Sequence, residues 1–208
     1  MSIEPAFELL DSLDGIAYVI DADGTIIDYN RDGWDRFAGA NDGEELCTKE
    51  AIIGRHLLDL VSGEDVRLTY HRLIDLLLNG TRDRVSFNFS CDRPASQRKM
   101  RLAITPVRQN HGVSALLFHT ILLEERIRPA MDLFDFKARH ESGGTNLPLL
   151  LMCSYCQEVR FPLGSTPETG EWVTAQKYYQ LGGTTEVEIS HGICAQCLET
   201  RVKPTLMN

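Results

Sequence analysis

Four cysteines in two C-x2-C pairs constrain this 208-residue chain more than any other feature: Cys153 and Cys156 in "MCSYCQEVR", then Cys194 and Cys197 in "SHGICAQCLE". Two such pairs bring four soft thiolates to tetrahedral spacing once the chain folds back on itself, which is the ligand set of a structural zinc ion. The C-terminal quarter is therefore expected to fold around a metal, with Zn2+ as the ion. His191, three residues before Cys194, is an alternate ligand in place of one thiolate, or a hydrogen-bond donor to one. The same pairs leave a second reading open, a dithiol that cycles with its disulfide. Two facing pairs in one small module favour the closed metal site, because a redox motif needs an accessible cysteine and usually a βαβ setting that this pattern lacks.

With 43% hydrophobic and 25% charged residues, the chain can bury one core of ordinary size plus a small second unit. A net charge of -9 with no long basic run makes nucleic acid a disfavoured partner. The segment 149–208 carries only Arg160, Lys177, Arg201 and Lys203 against six acids, which weakens a DNA-contacting zinc module as an alternative. No apolar run approaches ~18 residues, and "MSIEPAFELLDSL" lacks a basic n-region and apolar h-region. No membrane association and a cytoplasmic location are the expectation. In a reducing compartment, cysteines at this spacing point to metal or redox chemistry, not to a disulfide framework.

Apolar periodicity gives the first 125 residues a definite order. "GIAYVID" and "TIIDYN" form a hairpin joined at Asp23-Gly24. The glycine-broken stretch from Arg31 to Leu60 reads as short helices and loops. Between Ser62 and Leu78, Val66, Tyr70, Leu73, Ile74 and Leu77 share one helical stripe, with Gly80 near its end. Three strands follow, "RVSFNFSC", "KMRLAITPVR" and "VSALLFHTILLE". This order, with "GIAYVIDADGTIIDYNRDGWDRFAG" and its Asn30 turn and with "IIGRHLLDLVSGED" leading into the long helix, resembles a PAS domain. The resemblance implies an α+β fold, a five-stranded antiparallel sheet with helices on one face and a small pocket between them, used for sensing and not for catalysis.

The division expected is 1–127 for the PAS sensory domain, 128–148 for a connector packed through Met131, Leu133 and Phe134, and 149–208 for a cysteine-rich zinc module. In that module Glu171-Trp172-Val173 opens a short helix through "TAQKYYQLGG", and Trp172, Tyr178 and Tyr179 supply the core. The pattern from Leu149 to Lys203 resembles a short module found at the ends of bacterial PAS and signalling proteins, although the 37 residues between Cys156 and Cys194 exceed the spacing of compact zinc ribbons.

A second set of candidates lies in the PAS part. His71 falls at the edge of the helical stripe, Cys91 closes one strand in "SCDRP", and Met100 opens the next. His, Cys and Met are all axial ligands of haem iron. The set resembles the haem-binding PAS domain of bacterial carbon monoxide-sensing transcription regulators, which implies His71 as constant ligand with Cys91 and Met100 exchanging. The alternative is structural: Asp92 and Pro94 shape a turn, Cys91 and Met100 fill core space, and Arg98 pairs with an acid. Asp21, Asp23 and Asp28 flank turns, Cys47 is an ordinary thiol, and His119 is a sheet-face residue. No P-loop, dinucleotide fingerprint or nucleophile elbow is present, so no enzyme is expected. The reading is a homodimeric PAS sensor that binds a small ligand or haem and signals to an unidentified partner protein, with a thiol redox protein as the rival.

Overall fold

The structure is a computed structural model, and it describes residues 9–39, 43–109, 112–135, 147–163, 166 and 169–207. Contacts divide the chain into two compact units. The first comprises Met1–Val61, Arg67–Asn88 and Met100–Leu123, and the second Ser62–Val66, Phe89–Lys99 and Glu124–Asn208.

Five strands build one antiparallel sheet: β1 (Ile16–Asp21), β2 (Ile26–Tyr29), β3 (Val85–Ser90), β4 (Ser96–Gln109) and β5 (Gly112–Ile127), in the order β2-β1-β5-β4-β3. The hairpin turn between β1 and β2 is held by Asp21, whose Oδ1 accepts from the N–H groups of Asp23 and Thr25, and Gly24 takes the left-handed φ of 83° that closes it. These aspartates serve the turn. Along β1, Ala17 and Val19 pack with Leu10 and Ala115 on one face. Alternation turns Tyr18 and Ile20 to the other, where Tyr18 stacks on Phe118 at 4.9 Å and meets Trp34 edge-on at 5.8 Å.

Helices α1 (Arg31–Gly39), α2 (Lys49–Ile52) and α3 (Glu64–Leu78) complete this part. Asn30, 1% exposed, ties it together: Oδ1 accepts from Ala17 N–H at 2.7 Å, and Nδ2 donates to the carbonyls of Leu13 and Gly15. A side chain at Gly33 would place Cβ 1.9 Å from the Gly15 carbonyl, so α1 approaches that carbonyl only through glycine. On α3 the stripe expected from periodicity is buried at Val66, Leu73, Ile74 and Leu77, and Gly80, at φ 74°, ends the helix. His71 lies outside that stripe.

In the second unit a smaller sheet runs β8-β7-β6-β9, from β6 (Leu149–Cys153), β7 (Val159–Phe161), β8 (Glu171–Val173) and β9 (Glu188–Gly192). Helix α4 (Ala175–Gln180) follows β8, its first turn capped by the Thr174 hydroxyl accepting from Lys177 N–H. Helix α5 (Ala195–Cys197) passes through a π-helical turn, Leu198–Val202, into α6 (Lys203–Met207). The core consists of Leu133, Phe134, Leu150, Met152, Val159, Ala175, Tyr178 and Val187, with Met131, Val173 and Tyr179 against it. Met131, Leu133 and Phe134 pack as the sequence suggested.

Two expectations for this part are corrected. Glu171-Trp172-Val173 is a strand paired antiparallel with β7, because Thr174, not a residue before Trp172, offers the helix cap. Trp172 is half-buried and lies outside the core, where its ring lies 5.5 Å from the Arg160 guanidinium. Tyr178 takes the central place: it is fully buried, and its hydroxyl donates to Thr184 O and accepts from Thr184 N–H.

Candidate metal centre

Parallel pairing of β6 and β9 creates the cysteine site. The register sets Met152 beside His191 and Cys153 beside Gly192, so both strands end at the same edge of the sheet and each runs directly into its C-x2-C turn. The Sγ atoms of Cys153, Cys156, Cys194 and Cys197 all lie within 4.8 Å of one another, and those of Cys156 and Cys194 are 3.8 Å apart. Four sulfurs around zinc at a Zn–S distance of about 2.3 Å form a tetrahedron with edges of about 3.8 Å. The residues fit a metal ion of that kind. His191 is not a member of the cluster; it sits in β9, paired with Met152.

Backbone N–H groups surround the sulfurs. Cys194 N–H donates to Cys153 Sγ at 3.4 Å, and Cys197 N–H donates to Cys194 Sγ at 3.3 Å, where Cys194 caps α5. Cys156 donating to Cys153 lowers the Cys153 thiol, opposed by burial and helped by the Cys194 N–H. That shared hydrogen bond pushes the Cys156 thiol up, and burial together with the neighbouring Cys153 charge raises Cys197 to about 12. One thiolate is favoured and its neighbours resist a second charge. A bound dication reverses that balance by supplying the positive charge. Cys153, Cys194 and Cys197 are buried, while Cys156 is half-buried and stands beside Glu158, with Sγ 3.7 Å from Oε2.

Next to Cys156 and Glu158 is a cleft of about 400 Å³, also lined by Gln97, Arg128, Met131 and Phe134. Sequence reasoning missed it. Arg128 there is fully engaged: Nη1 pairs with Asp92 at 2.9 Å, Nη2 donates to Arg93 O, and the guanidinium lies 4.4 Å from the Phe134 ring centroid. The Cys-Asp-x-Pro turn was the available signal.

The three haem candidates are placed differently. His71 on α3 is an exposed side chain, 64% accessible, and its Nδ1 faces Asp75 on the same helix at 3.2 Å. Cys91 is engaged by Arg98, whose Nε donates to the Cys91 carbonyl at 2.6 Å and Nη2 to Sγ at 3.4 Å, and burial raises its thiol against the opposing Arg98 charge. Met100 is 3% exposed, in the core. The Arg98 guanidinium donates to the Cys91 carbonyl and sulfur, and its N–H donates to Asp92 Oδ1. His71 is turned to solvent, while Met100 is buried.

Residues 10–128 match the family model of the PAS fold, more than half of the chain, and the protein belongs to that family. Solved structures similar to it include the PAS domain of Bordetella pertussis BvgS, at 16% identity over 60% of this chain and 88% of that one, TM-score 0.48. Another is a C-terminal domain from Streptococcus mutans, at 21% identity over 60% and 87%, TM-score 0.45. A third is the photoactive yellow protein domain from the sensor histidine kinase Ppr of Rhodospirillum centenum, at 21% identity over 55% and 91%, TM-score 0.40. No curated protein matches the chain. Among the described residues no helix is long and apolar enough to cross a membrane.

Proposed function

We propose that this protein is a non-catalytic PAS sensor whose second unit is held by a structural zinc ion on Cys153, Cys156, Cys194 and Cys197. The convergence of four sulfurs within 4.8 Å at the shared end of β6 and β9 carries the metal half of this reading. Membership of the PAS family carries the sensory half. Burial of three of the four thiols favours a closed metal site over a redox dithiol, which needs an accessible sulfur. The test is metal analysis of protein purified without added chelator, with cobalt substitution as the spectroscopic check. One tetrahedral thiolate-bound ion per chain supports the reading, and a fully reduced, metal-free and folded second unit overturns it.

A small ligand is the favoured input, because sensing by ligand binding is what membership of the PAS family favours. Haem on His71, Cys91 and Met100 is the alternative occupant and requires α3 to bring His71 inward. Output passes to an unidentified signalling protein, with a PAS homodimer as the acting form in the cytoplasm. Sedimentation at a dimer mass in analytical ultracentrifugation is the expected result.

A further inference from the structure

Gln157 directly follows the first cysteine pair, and its φ of 60° is the one positive φ outside glycine among the described residues. A non-glycine residue persists there only where its surroundings hold it. Its N–H donates to Cys153 O at 2.9 Å, which closes the Cys153–Cys156 turn. Its side-chain Oε1 accepts from the backbone N–H of Asp92 at 2.7 Å. Inside the same turn, Tyr155 O accepts from Ser90 N–H at 2.8 Å. The cysteine turn thus presents two acceptors, from residues 155 and 157, to the N–H groups of residues 90 and 92. It extends the ladder past the end of β3, with a side-chain amide serving as the last rung. Ser90, Asp92, Tyr155 and Gln157 all belong to the second unit.

We infer that Gln157 couples the state of the four-thiolate centre to the segment 91–98, which comprises the β3–β4 connection and the first residues of β4; this rests on the zinc reading above. The connection depends on Asp92: its carboxylate accepts from Arg98 N–H and pairs with Arg128, and Arg98 in turn holds the Cys91 carbonyl. An ion on Cys153 and Cys156 fixes both ends of the turn that contains Tyr155 and precedes Gln157. Without it, the turn and the left-handed residue after it relax, and two N–H groups at the start of the connection lose their acceptors. Coupling of this kind is reciprocal, so whatever loosens the segment 91–98 weakens metal binding by the same factor.

The experiment follows amide exchange at Ser90 and Asp92 in the full chain, zinc-loaded and stripped, together with zinc affinity by competition. Two variants separate coupling from collapse of the module. Gln157→Asn tolerates the left-handed backbone but falls one methylene short of Asp92, whereas Gln157→Glu keeps both reach and acceptor. In the wild type, stripping should accelerate exchange at both amides. In zinc-loaded Gln157→Asn, Asp92 exchange should rise about fivefold, the factor of one net hydrogen bond, with zinc affinity falling by that factor and stoichiometry unchanged. Gln157→Glu should restore the protection. If zinc binds one per chain but zinc-loaded Gln157→Asn protects Asp92 as the wild type does, the coupling is overturned and the metal centre stands. If the chain takes up no zinc, both readings fall.

Discussion

In the first unit Ile20, Ile26, Ile52, Leu73, Leu77, Ile104, Leu116 and Phe118 are each less than 2% exposed, a continuous supply of large side chains from strands and helices. The second unit offers Leu133, Leu150, Met152, Val159 and Tyr178 at that level of burial, and sets four cysteines at one edge of its sheet. Within one chain, then, two solutions to the same problem stand side by side. Where apolar area suffices, burial alone holds the fold; where the sheet is short and irregular, the proposed zinc ion would cross-link what the core does not hold.

Removing the ion should separate the two solutions most sharply. Metal binding to structural thiolate sites is worth on the order of 10 kcal/mol, so chelation or Cys153→Ser should unfold the second unit and leave the first protected, as read by peptide-resolved hydrogen exchange. Equal loss of protection in both units would break the comparison. Tyr178→Ala should cost about 3–5 kcal/mol in denaturant unfolding of the zinc-loaded protein, while Trp172→Ala should cost about 1 kcal/mol, since only the first empties a core site. A larger loss at Trp172 would return that residue to the core.

Alkaline pH should act on the first unit. Burial raises Tyr70 to about 12, and burial with the nearby Tyr70 raises Tyr18 well above its usual value. Both folded values lie above the unfolded one, so their contribution is complete below about pH 10 and is lost as pH climbs toward 12. Tyr70→Phe should flatten that decline in the first unit, measured by unfolding midpoints across the window. The smallest effect belongs to His71→Ala, which removes an exposed i,i+4 pair with Asp75 and should change stability by less than about 0.5 kcal/mol. It should also leave uptake of added haem unchanged; a His71-dependent absorption band would show that α3 does bring the histidine inward.

Elements with strong local signals were legible in the sequence. The hairpin at Asp23-Gly24, the stripe of α3 and the order of the five strands follow from alternation, helical period and turn residues, all short-range properties. The cysteine set was legible because ligand type and spacing are chemical facts independent of fold. Trp172 was misplaced because a three-residue strand has almost no periodicity of its own; it exists through pairing with β7. His71 sits at the edge of the stripe, where one helical wheel cannot choose between pocket and solvent. The contacts of Asp92 with Gln157 and Arg128 join residues 65 and 36 apart in sequence, and nothing local announces them.

The parallel register of β6 and β9 also sets a clock. Cys153 and Cys194 are 41 residues apart, and neither pair alone can complete a four-sulfur shell. The second pair reaches the first only when two strands distant in sequence have aligned, a slow class of event because loop closure precedes its reward. An ion held by one pair alone would exchange freely; one held by both pairs would leave more slowly, as the aligned strands open. Residence time of the metal would then measure opening of the β6–β9 pair, making ion exchange a stopwatch for a motion within the protein.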